Sequence, residues 1–194
     1  LEWSSTRARR EGANETGLRE KMETYLGEAM EQGLVVDAAI AQNEAQGRAF
    51  WGLRENHSEA QKREGPSIKH DISVAVSKIP AFMTEGLAAM KQALPDCRPV
   101  PFGHVGDGNL HFNCQSPPGW DKKRFMAHGE AISGAVYDLV VGYGGSISAE
   151  HGIGRLKVDE LAHYRSRIEL DTMRTIKRAL DPQNLMNPGK IVRV

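Results

Sequence analysis

The sequence is poor in cysteine and in aromatic residues, and it carries no excess charge of either sign. It has two cysteines, 6% aromatic residues, and 25 basic against 25 acidic side chains, so its net charge is zero. Two cysteines outside any CxxC pair exclude a disulfide-stabilised scaffold and favour a reducing, cytoplasmic location. The charge balance excludes the basic pattern of nucleic-acid-binding proteins, so we expect no nucleic-acid partner.

Long apolar runs are missing too. No run approaches the roughly 18 residues that a membrane-spanning helix needs, and the first residues lack the apolar segment of a signal peptide. The chain starts without a methionine, as if it were cut from a longer protein. Its 194 residues, 40% hydrophobic and 26% charged, suit a folded globular protein, and we expect one domain over residues 1–194.

Strand-like and helical patterns alternate along the chain. The periodicity predicts strands at residues 1–5, 34–42, 67–76, 98–105 and 109–115. A polar loop is expected over residues 7–17. Helices are predicted at residues 18–32, 43–64, 79–94, 125–140, 155–164 and 168–180. This order favours an α+β fold in which helices cover one face of a largely antiparallel sheet.

The segment between the last two strands predicts a hairpin with a candidate metal site. Asp107 and Gly108 form a typical two-residue turn, which would place His104 directly opposite His111. Directly opposed side chains share one face at roughly 5 Å, close enough for two imidazoles to bind one ion. Asn113 lies on the same face because side chains alternate along a strand. The simpler alternative is two histidines that are hydrogen-bonded to water on a half-exposed sheet.

A second glycine-rich segment, residues 142–155, follows. Residues 101–155 hold 11 of the 20 glycines, a density typical of tight turns and of close approach to a ligand. Glu150 and His151 offer a carboxylate and a third imidazole there, and two histidines with a glutamate are typical of a catalytic metal site. The alternative for this pair is a helix N-terminal cap. No P-loop, dinucleotide fingerprint or HExxH motif is present.

Three segments together resemble a known family. They are GHVGDGNLHFN, SAEHGIGRLK and ALDPQNLMNPGK, and they are similar to the C-terminal domain of FAD-linked oxidases, the group of D-2-hydroxyglutarate, D-lactate and glycolate dehydrogenases. The resemblance implies a ferredoxin-like antiparallel sheet with a C-terminal helical extension. It also implies that FAD is bound mainly by an N-terminal domain of the same polypeptide, which we expect to be absent from this chain.

The resemblance also implies a set of site residues. In the D-2-hydroxyglutarate branch, His104, His111 and Glu150 match the metal ligands, and His151 matches the general base. The metal would be zinc, with manganese or iron(II) as alternatives that suit the same ligands. The substrate contacts match the four residues Arg54, Ser58, Lys69 and Asn113, and Asn187 of the NPGK motif matches a flavin contact.

The substrate contacts have a simpler explanation as well. Arg54 and Ser58 are four residues apart and would share one helix face, and Ser58 stands where that branch has a threonine. Arginine and lysine bind carboxylates, but either one by itself is more typical of an ordinary surface charge.

The function that the resemblance implies is oxidation of a small D-2-hydroxy acid to the 2-oxo acid, with hydride transfer to FAD. The resemblance adds an unidentified electron acceptor, and a location in the mitochondrial matrix if the source is a eukaryote. A homodimer is compatible with the sequence. Two other classes of function remain open, a metal-dependent hydrolase and a non-catalytic module that binds a hydroxy acid or a metal.

Overall fold

The computed structural model describes residues 16–194, and the chain divides into two units, Leu1–Asn56 and His57–Val194. The predicted strand at residues 1–5 therefore lies outside the described residues. In the first unit, α1 spans Thr16–Glu31 and α2 spans Glu44–Glu55. The Asn43 side chain starts α2 by accepting the Gln46 N–H.

The predicted strand at residues 34–42 is wrong. This segment has no regular structure, and Leu34 and Val36 are 74% and 96% exposed. It has no neighbouring strand among residues 16–194, and a lone strand leaves its backbone N–H and C=O groups unpaired. Its apolar composition resembled that of a buried strand, but most of its residues are exposed or half-buried.

The single helix predicted for residues 43–64 is also wrong. α2 ends at Glu55, and a second helix, α3, spans His57–Arg63. Asn56 between them has a ψ of −3°, which departs from the helical value of about −42° and interrupts the hydrogen-bond ladder. Arg54 and Ser58 therefore do not share a helix.

The second unit is an α+β fold, as predicted. Its strands are β1 (Ser67–Ile68), β2 (Asp71–Ser73), β3 (Arg98–His104) and β4 (Asn109–Gln115). Its helices after α3 are α4 (Ile79–Ala93), α5 (Lys122–Met126), α6 (Gly129–Gly142), α7 (Val158–Tyr164) and α8 (Arg167–Leu180). The helix predicted at residues 125–140 is thus divided between α5 and α6. Among residues 16–194, no helix combines the length and the apolar character needed to cross a membrane.

β4 is the centre of a small antiparallel sheet. β3 pairs with one side of it, and β1 and β2 pair with the other. Ser67 lies opposite Gln115 and Asp71 opposite His111, so β1 and β2 keep one register and act as two parts of a single edge. One face of this sheet packs on α4 and α6 and is called the core face; the opposite one is called the site face.

The core face is apolar. From β4 it carries Leu110, Phe112 and Cys114, which are at most 2% exposed. Phe112 meets Phe82 of α4 edge-to-face at 5.2 Å between ring centroids. From α6 come Ile132, Val136 and Val140, all fully buried. This layer of helices on one side leaves the other side of β4 for polar residues.

The register of the β3–β4 hairpin differs from the predicted one by two residues. His104 lies opposite Asn109, and His111 lies opposite Phe102. The connection is a short 3₁₀ turn over Val105–Asp107 that ends at Gly108, with φ +84°. A side chain at Gly108 would come within 2.1 Å of the Val74 carbonyl oxygen, so the wider turn lies tightly against the segment that follows β2.

Candidate metal and substrate site

The site face of β4 carries a row of polar side chains. These are Asn109, His111, Asn113 and Gln115, which alternate with the apolar residues of the core face. Asn109, Asn113 and Gln115 are buried, whereas the His111 side chain is 21% exposed. His111 is therefore the member of this row that a ligand can reach.

His104 and His111 share the site face even though they are not directly opposed. His104 faces Asn109, which is two residues from His111 and so on the same side of the strand. Glu150 lies against both histidines. His104 Nε2 is 3.9 Å from Glu150 Oε1, and His111 Nε2 is 3.9 Å from Glu150 Oε2.

These distances place Glu150 beside both histidines. Zinc binds imidazole nitrogen and carboxylate oxygen at about 2.1 Å, so two ligand atoms of a tetrahedral ion are roughly 3.4 Å apart. Both measured separations are somewhat longer than that, and His104, His111 and Glu150 stay a predicted ligand set. Two nitrogens and a carboxylate also form a donor set that suits zinc, manganese or iron(II).

Asn109 holds the glutamate. Its Nδ2 donates a hydrogen bond to Glu150 Oε1, and its own backbone N–H is capped by Asp107 Oδ1. Asn109 Oδ1 is buried without a hydrogen-bond partner among the described residues. The contact fixes one carboxylate oxygen and leaves Oε2 directed to His111.

The loop that carries Glu150 and His151 is attached to the edge of the sheet at β2. Ser73 and Ser146 exchange two backbone hydrogen bonds of 3.0 and 2.9 Å. The Lys157 ammonium group donates to the Ile147 carbonyl at 2.7 Å, and burial lowers the pKa of this lysine. Gly145 allows the close approach, since a side chain there would come within 2.2 Å of the Ser73 carbonyl oxygen.

Beyond Ile147, the loop is organised by Asp71 of β2. The Asp71 carboxylate accepts the backbone N–H groups of Ala149, Glu150 and His151 and the hydroxyl of Ser148. Burial by itself raises the pKa of Asp71, but the hydrogen bonds from His151, Glu150 and Ser148 outweigh it, and the pKa lies below its usual value. Asp71 is therefore a buried, ionised anchor for the loop.

His151 lies beside His111. Their ring centroids are 5.8 Å apart, and the His151 side chain is exposed. Ligand-type atoms of Asp71, His111 and His151 all lie within 4.8 Å of one another; among the described residues this is the group that meets that criterion, and the predicted set of His104, His111 and Glu150 does not meet it. His111 belongs to both sets, and His151 is close enough to act on a molecule bound at His111.

Two predicted substrate residues, Lys69 and Asn113, are in neighbouring parts of the second unit. Lys69 lies in the two-residue connection between β1 and β2, and Asn113 is on the site face of β4, with which both strands pair. Lys69 is exposed and has no ion-pair partner within residues 16–194. Asn113 is 3% exposed; its Oδ1 accepts the His70 N–H at 3.2 Å and its Nδ2 donates to Gln61 Oε1 at 3.1 Å.

The remaining predicted residues lie on other elements. Arg54 is an exposed residue of α2 in the first unit, where its guanidinium lies 5.3 Å from the Trp51 ring. Ser58 is exposed on α3. Asn187 follows α8 with a φ of +48°, and its Oδ1 accepts the Lys190 ammonium at 3.0 Å. The roles of these residues stay predictions.

Sequence reasoning assigned no role to Asp71 or Asn109. Asp71 had a usable signal, because aspartate is disfavoured inside strands and this one lies in a segment rich in β-branched residues. Such a residue in a strand indicates a specific hydrogen-bond partner. Asn109 carried no such signal, because its contact with Glu150 joins segments that are 41 residues apart.

Comparisons with known proteins identify the family. The family model "FAD linked oxidases, C-terminal domain" matches residues 9–191. The chain belongs to this family. A D-2-hydroxyglutarate dehydrogenase of Stutzerimonas stutzeri is 44% identical over 162 residues, which cover 84% of the chain and 35% of that protein.

Plants have relatives of this FAD-linked oxidase C-terminal domain as well. The mitochondrial D-2-hydroxyglutarate dehydrogenase of Arabidopsis thaliana is 37% identical over 182 residues, which cover 93% of the chain and 31% of that protein. The chain thus spans about a third of the length of the curated relatives that it matches.

Proposed function

We propose that this chain is the metal- and substrate-binding part of a flavin-dependent dehydrogenase, which oxidises a D-2-hydroxy acid to the 2-oxo acid. The observation that carries the proposal is Glu150, whose two carboxylate oxygens each lie 3.9 Å from a different histidine. Membership of the FAD-linked oxidase family supports the flavin and the reaction class.

His104, His111 and Glu150 would hold a divalent metal ion, for which we propose zinc ahead of manganese or iron(II). When bound, such an ion polarises the 2-hydroxyl group of the substrate and lowers its pKa. Asn109 keeps Glu150 in place through its amide. The His104 side chain is 51% exposed, so a substrate could approach the site from solvent.

His151 would accept the proton of the 2-hydroxyl group. Its ring lies 5.8 Å from His111, so a hydroxyl group held near His111 is within reach of the imidazole. The backbone N–H of His151 is tied to Asp71 Oδ2 at 2.9 Å, which fixes the start of this side chain. The hydride from C2 would pass to FAD, held by another region of the protein, and Asn187 would contact that flavin.

Four residues would bind the substrate: Lys69, Asn113, Arg54 and Ser58. Lys69 is an exposed cation between β1 and β2 without an ion-pair partner among the described residues, as a carboxylate-binding lysine requires. The names of the bacterial and plant relatives support D-2-hydroxyglutarate, a dicarboxylate, as the first substrate to test. D-Lactate and glycolate, each with a single carboxylate, are the comparison substrates.

The test uses the full-length protein that carries this chain, with FAD bound. Metal content and zinc affinity are measured for the wild type and for His104→Ala, His111→Ala and Glu150→Ala, together with turnover of D-2-hydroxyglutarate. Each variant should lose zinc affinity and turnover. His163→Ala is the matched control, because it removes an exposed imidazole of α7 outside the site.

His151→Ala, compared with Glu150→Ala, separates the roles of these two adjacent residues. It should keep the metal and lose most of kcat, whereas Glu150→Ala should lose the metal. Release of the metal by His151→Ala, together with its retention by Glu150→Ala, contradicts the assignment. Hydrolysis of esters or amides without oxidation of any 2-hydroxy acid would favour a metal-dependent hydrolase instead.

A further inference from the structure

The strongest unassigned feature of the second unit is the surroundings of the Asp71 carboxylate. Its Oδ2 accepts from Ser148 Oγ, Ala149 N and Glu150 N at 3.1 Å each, and from His151 N at 2.9 Å. Its Oδ1 lies 3.1 Å from the Glu150 N–H as well. Asp71 itself is only 6% exposed.

Three consecutive backbone N–H groups point to one spot only where the chain curls. In an extended strand they alternate in direction, and so do the side chains of neighbouring residues. A curl of this kind forms a concave, positively polarised pocket that binds an anion. Here the anion is a side chain of the same protein, so the curl at residues 149–151 is stabilised without an external ligand.

The curl has a direct consequence for the site. Glu150 and His151 are adjacent, and an extended backbone would send their side chains to opposite sides. In the structure Glu150 contacts His104 and His111, while His151 also lies beside His111. Both neighbours therefore reach the same histidine because the backbone turns around the Asp71 carboxylate.

The same contacts distinguish an anchoring role from metal binding. A carboxylate oxygen has two lone pairs, and Asp71 Oδ2 already faces four donors. Binding an ion through this oxygen would displace the loop's hydrogen bonds. Ligand-type atoms of His111 and His151 lie within 4.8 Å of the Asp71 carboxylate, so the measurements below also test Asp71 as a metal ligand.

We propose that Asp71 is a positioning residue, which holds the Ser148–His151 loop curled so that Glu150 and His151 face the two histidines. The proposal rests on the proposed function for its catalytic meaning. Asp71 is also directly opposite His111 in the sheet, so one residue ties the loop to the strand that carries His111. The loop and the strand are thereby held in one arrangement before any metal binds.

The first measurement is hydrogen exchange by mass spectrometry on the metal-free, full-length protein. Asp71→Asn keeps the size of the side chain but replaces one accepting oxygen with an NH₂ group, which cannot accept an N–H. We expect exchange of peptides that cover residues 148–151 to become at least about tenfold faster. Peptides that cover Phe112 and Cys114 in β4 should be unchanged, which excludes a general loss of stability.

The second measurement is zinc affinity of the same variants. We expect Asp71→Asn to weaken zinc binding by roughly 10- to 100-fold, as for residues that orient metal ligands, while His111→Ala abolishes it. Ser148→Ala removes a single hydroxyl donor from the same carboxylate. Ser148→Ala should show a smaller increase in loop exchange and a smaller loss of zinc affinity than Asp71→Asn. It serves as the test if Asp71→Asn does not fold.

The outcomes separate this inference from the proposed function. Unchanged exchange at residues 148–151 in both variants overturns the anchoring role, even if zinc binds as proposed. Loss of zinc in Asp71→Asn that equals the loss in His111→Ala, with unchanged loop exchange, overturns it in favour of Asp71 as a ligand. Faster loop exchange in a protein whose His104, His111 and Glu150 variants keep their metal supports the anchor and contradicts the proposed metal site.

Discussion

The two faces of β4 have opposite chemistry, although they belong to the same seven residues. On the core face Leu110, Phe112 and Cys114 are buried against α4 and α6. On the site face Asn109 and Asn113 are buried as well, but they are held by hydrogen bonds to Glu150 and Gln61. Burial alone does not distinguish the two faces; the difference lies in how each buried side chain is held.

Packing and hydrogen bonding place side chains with different precision. Apolar packing is non-directional, and any arrangement that removes apolar surface from water stabilises the fold. A buried amide, in contrast, needs partners at set distances and angles, and it costs free energy when they are lost. The site face therefore sets the positions of the candidate functional groups, and the core face sets the free energy of unfolding. The predictions below test this division.

The largest effect is expected on the core face. Phe112→Ala removes a fully buried ring that packs on Phe82, and it should lower the free energy of unfolding by about 4 kcal/mol. Urea unfolding measures the change. His111→Ala on the other side of the same strand should cost less than half as much, and equal costs for the two variants would contradict the division of roles.

The next effect concerns the polar residue that contacts the core helices. His70 is fully buried; its Nδ1 donates to the Phe112 carbonyl at 2.7 Å, and its Nε2 accepts from the Ser133 hydroxyl at 3.0 Å. Burial lowers the pKa of His70 to about 4, against 6.5 for the free side chain.

The unfolded chain therefore binds a proton at His70 more readily than the folded chain does. Stability is fully present above pH 6.5 and should fall by about 3 kcal/mol as the pH drops from 6.5 to 4. Urea unfolding at several pH values measures this slope. In His70→Gln the part of the slope due to His70 should vanish, and an unchanged slope would contradict the buried, neutral histidine.

A smaller effect is expected for a buried amide of the site face. Asn113→Ala leaves the His70 N–H and Gln61 Oε1 without their partner, and it should cost about 2 kcal/mol in urea unfolding. Since Gln61→Ala removes the same contact from its other end, the double variant should cost less than the sum of the two single variants. Strict additivity would show that the hydrogen bond does not contribute.

The smallest effect is expected at the rim of the site face. Glu64 Oε2 lies 2.9 Å from Arg98 Nη1, and the side chains are 63% and 36% exposed. Glu64→Gln should change thermal stability by less than about 0.5 kcal/mol, because exposed ion pairs are screened by water. Arg98→Ala should cost more, since it also removes hydrogen bonds to the carbonyls of Glu64 and Ser116. A large effect of Glu64→Gln would contradict this ranking.

The fold could be predicted from the sequence where local pattern and tertiary structure agree. The alternation of apolar residues identified β4, and the 3.6-residue period identified α4 and α8. The prediction failed at residues 34–42, where an apolar run has no strand beside it among residues 16–194, and at Asn56, where α2 ends. In both places the secondary structure depends on neighbouring segments or on backbone geometry, and composition encodes neither.

The candidate site shows the same limit. The types of residue and their family motifs singled out His104, His111 and Glu150, and the structure places Glu150 3.9 Å from each of the two histidines. The hairpin register was predicted two residues away from its actual value, because the turn is wider than predicted and lies against the carbonyl oxygen of Val74. The two histidines still share a face, since a shift of two residues restores the alternation of side chains.

The sequence by itself determined the α+β character of the second unit, the family, and the residue types available for the candidate site. These depend on periodicity and on motifs, which are local properties of the chain. Only the tertiary structure decided that Asp71 curls the loop of Glu150 and His151, and that Asn109 holds Glu150. Both contacts join segments at least 41 residues apart, and hydrogen bonds over such separations form only when the folded sheet brings the two ends within 3 Å or so.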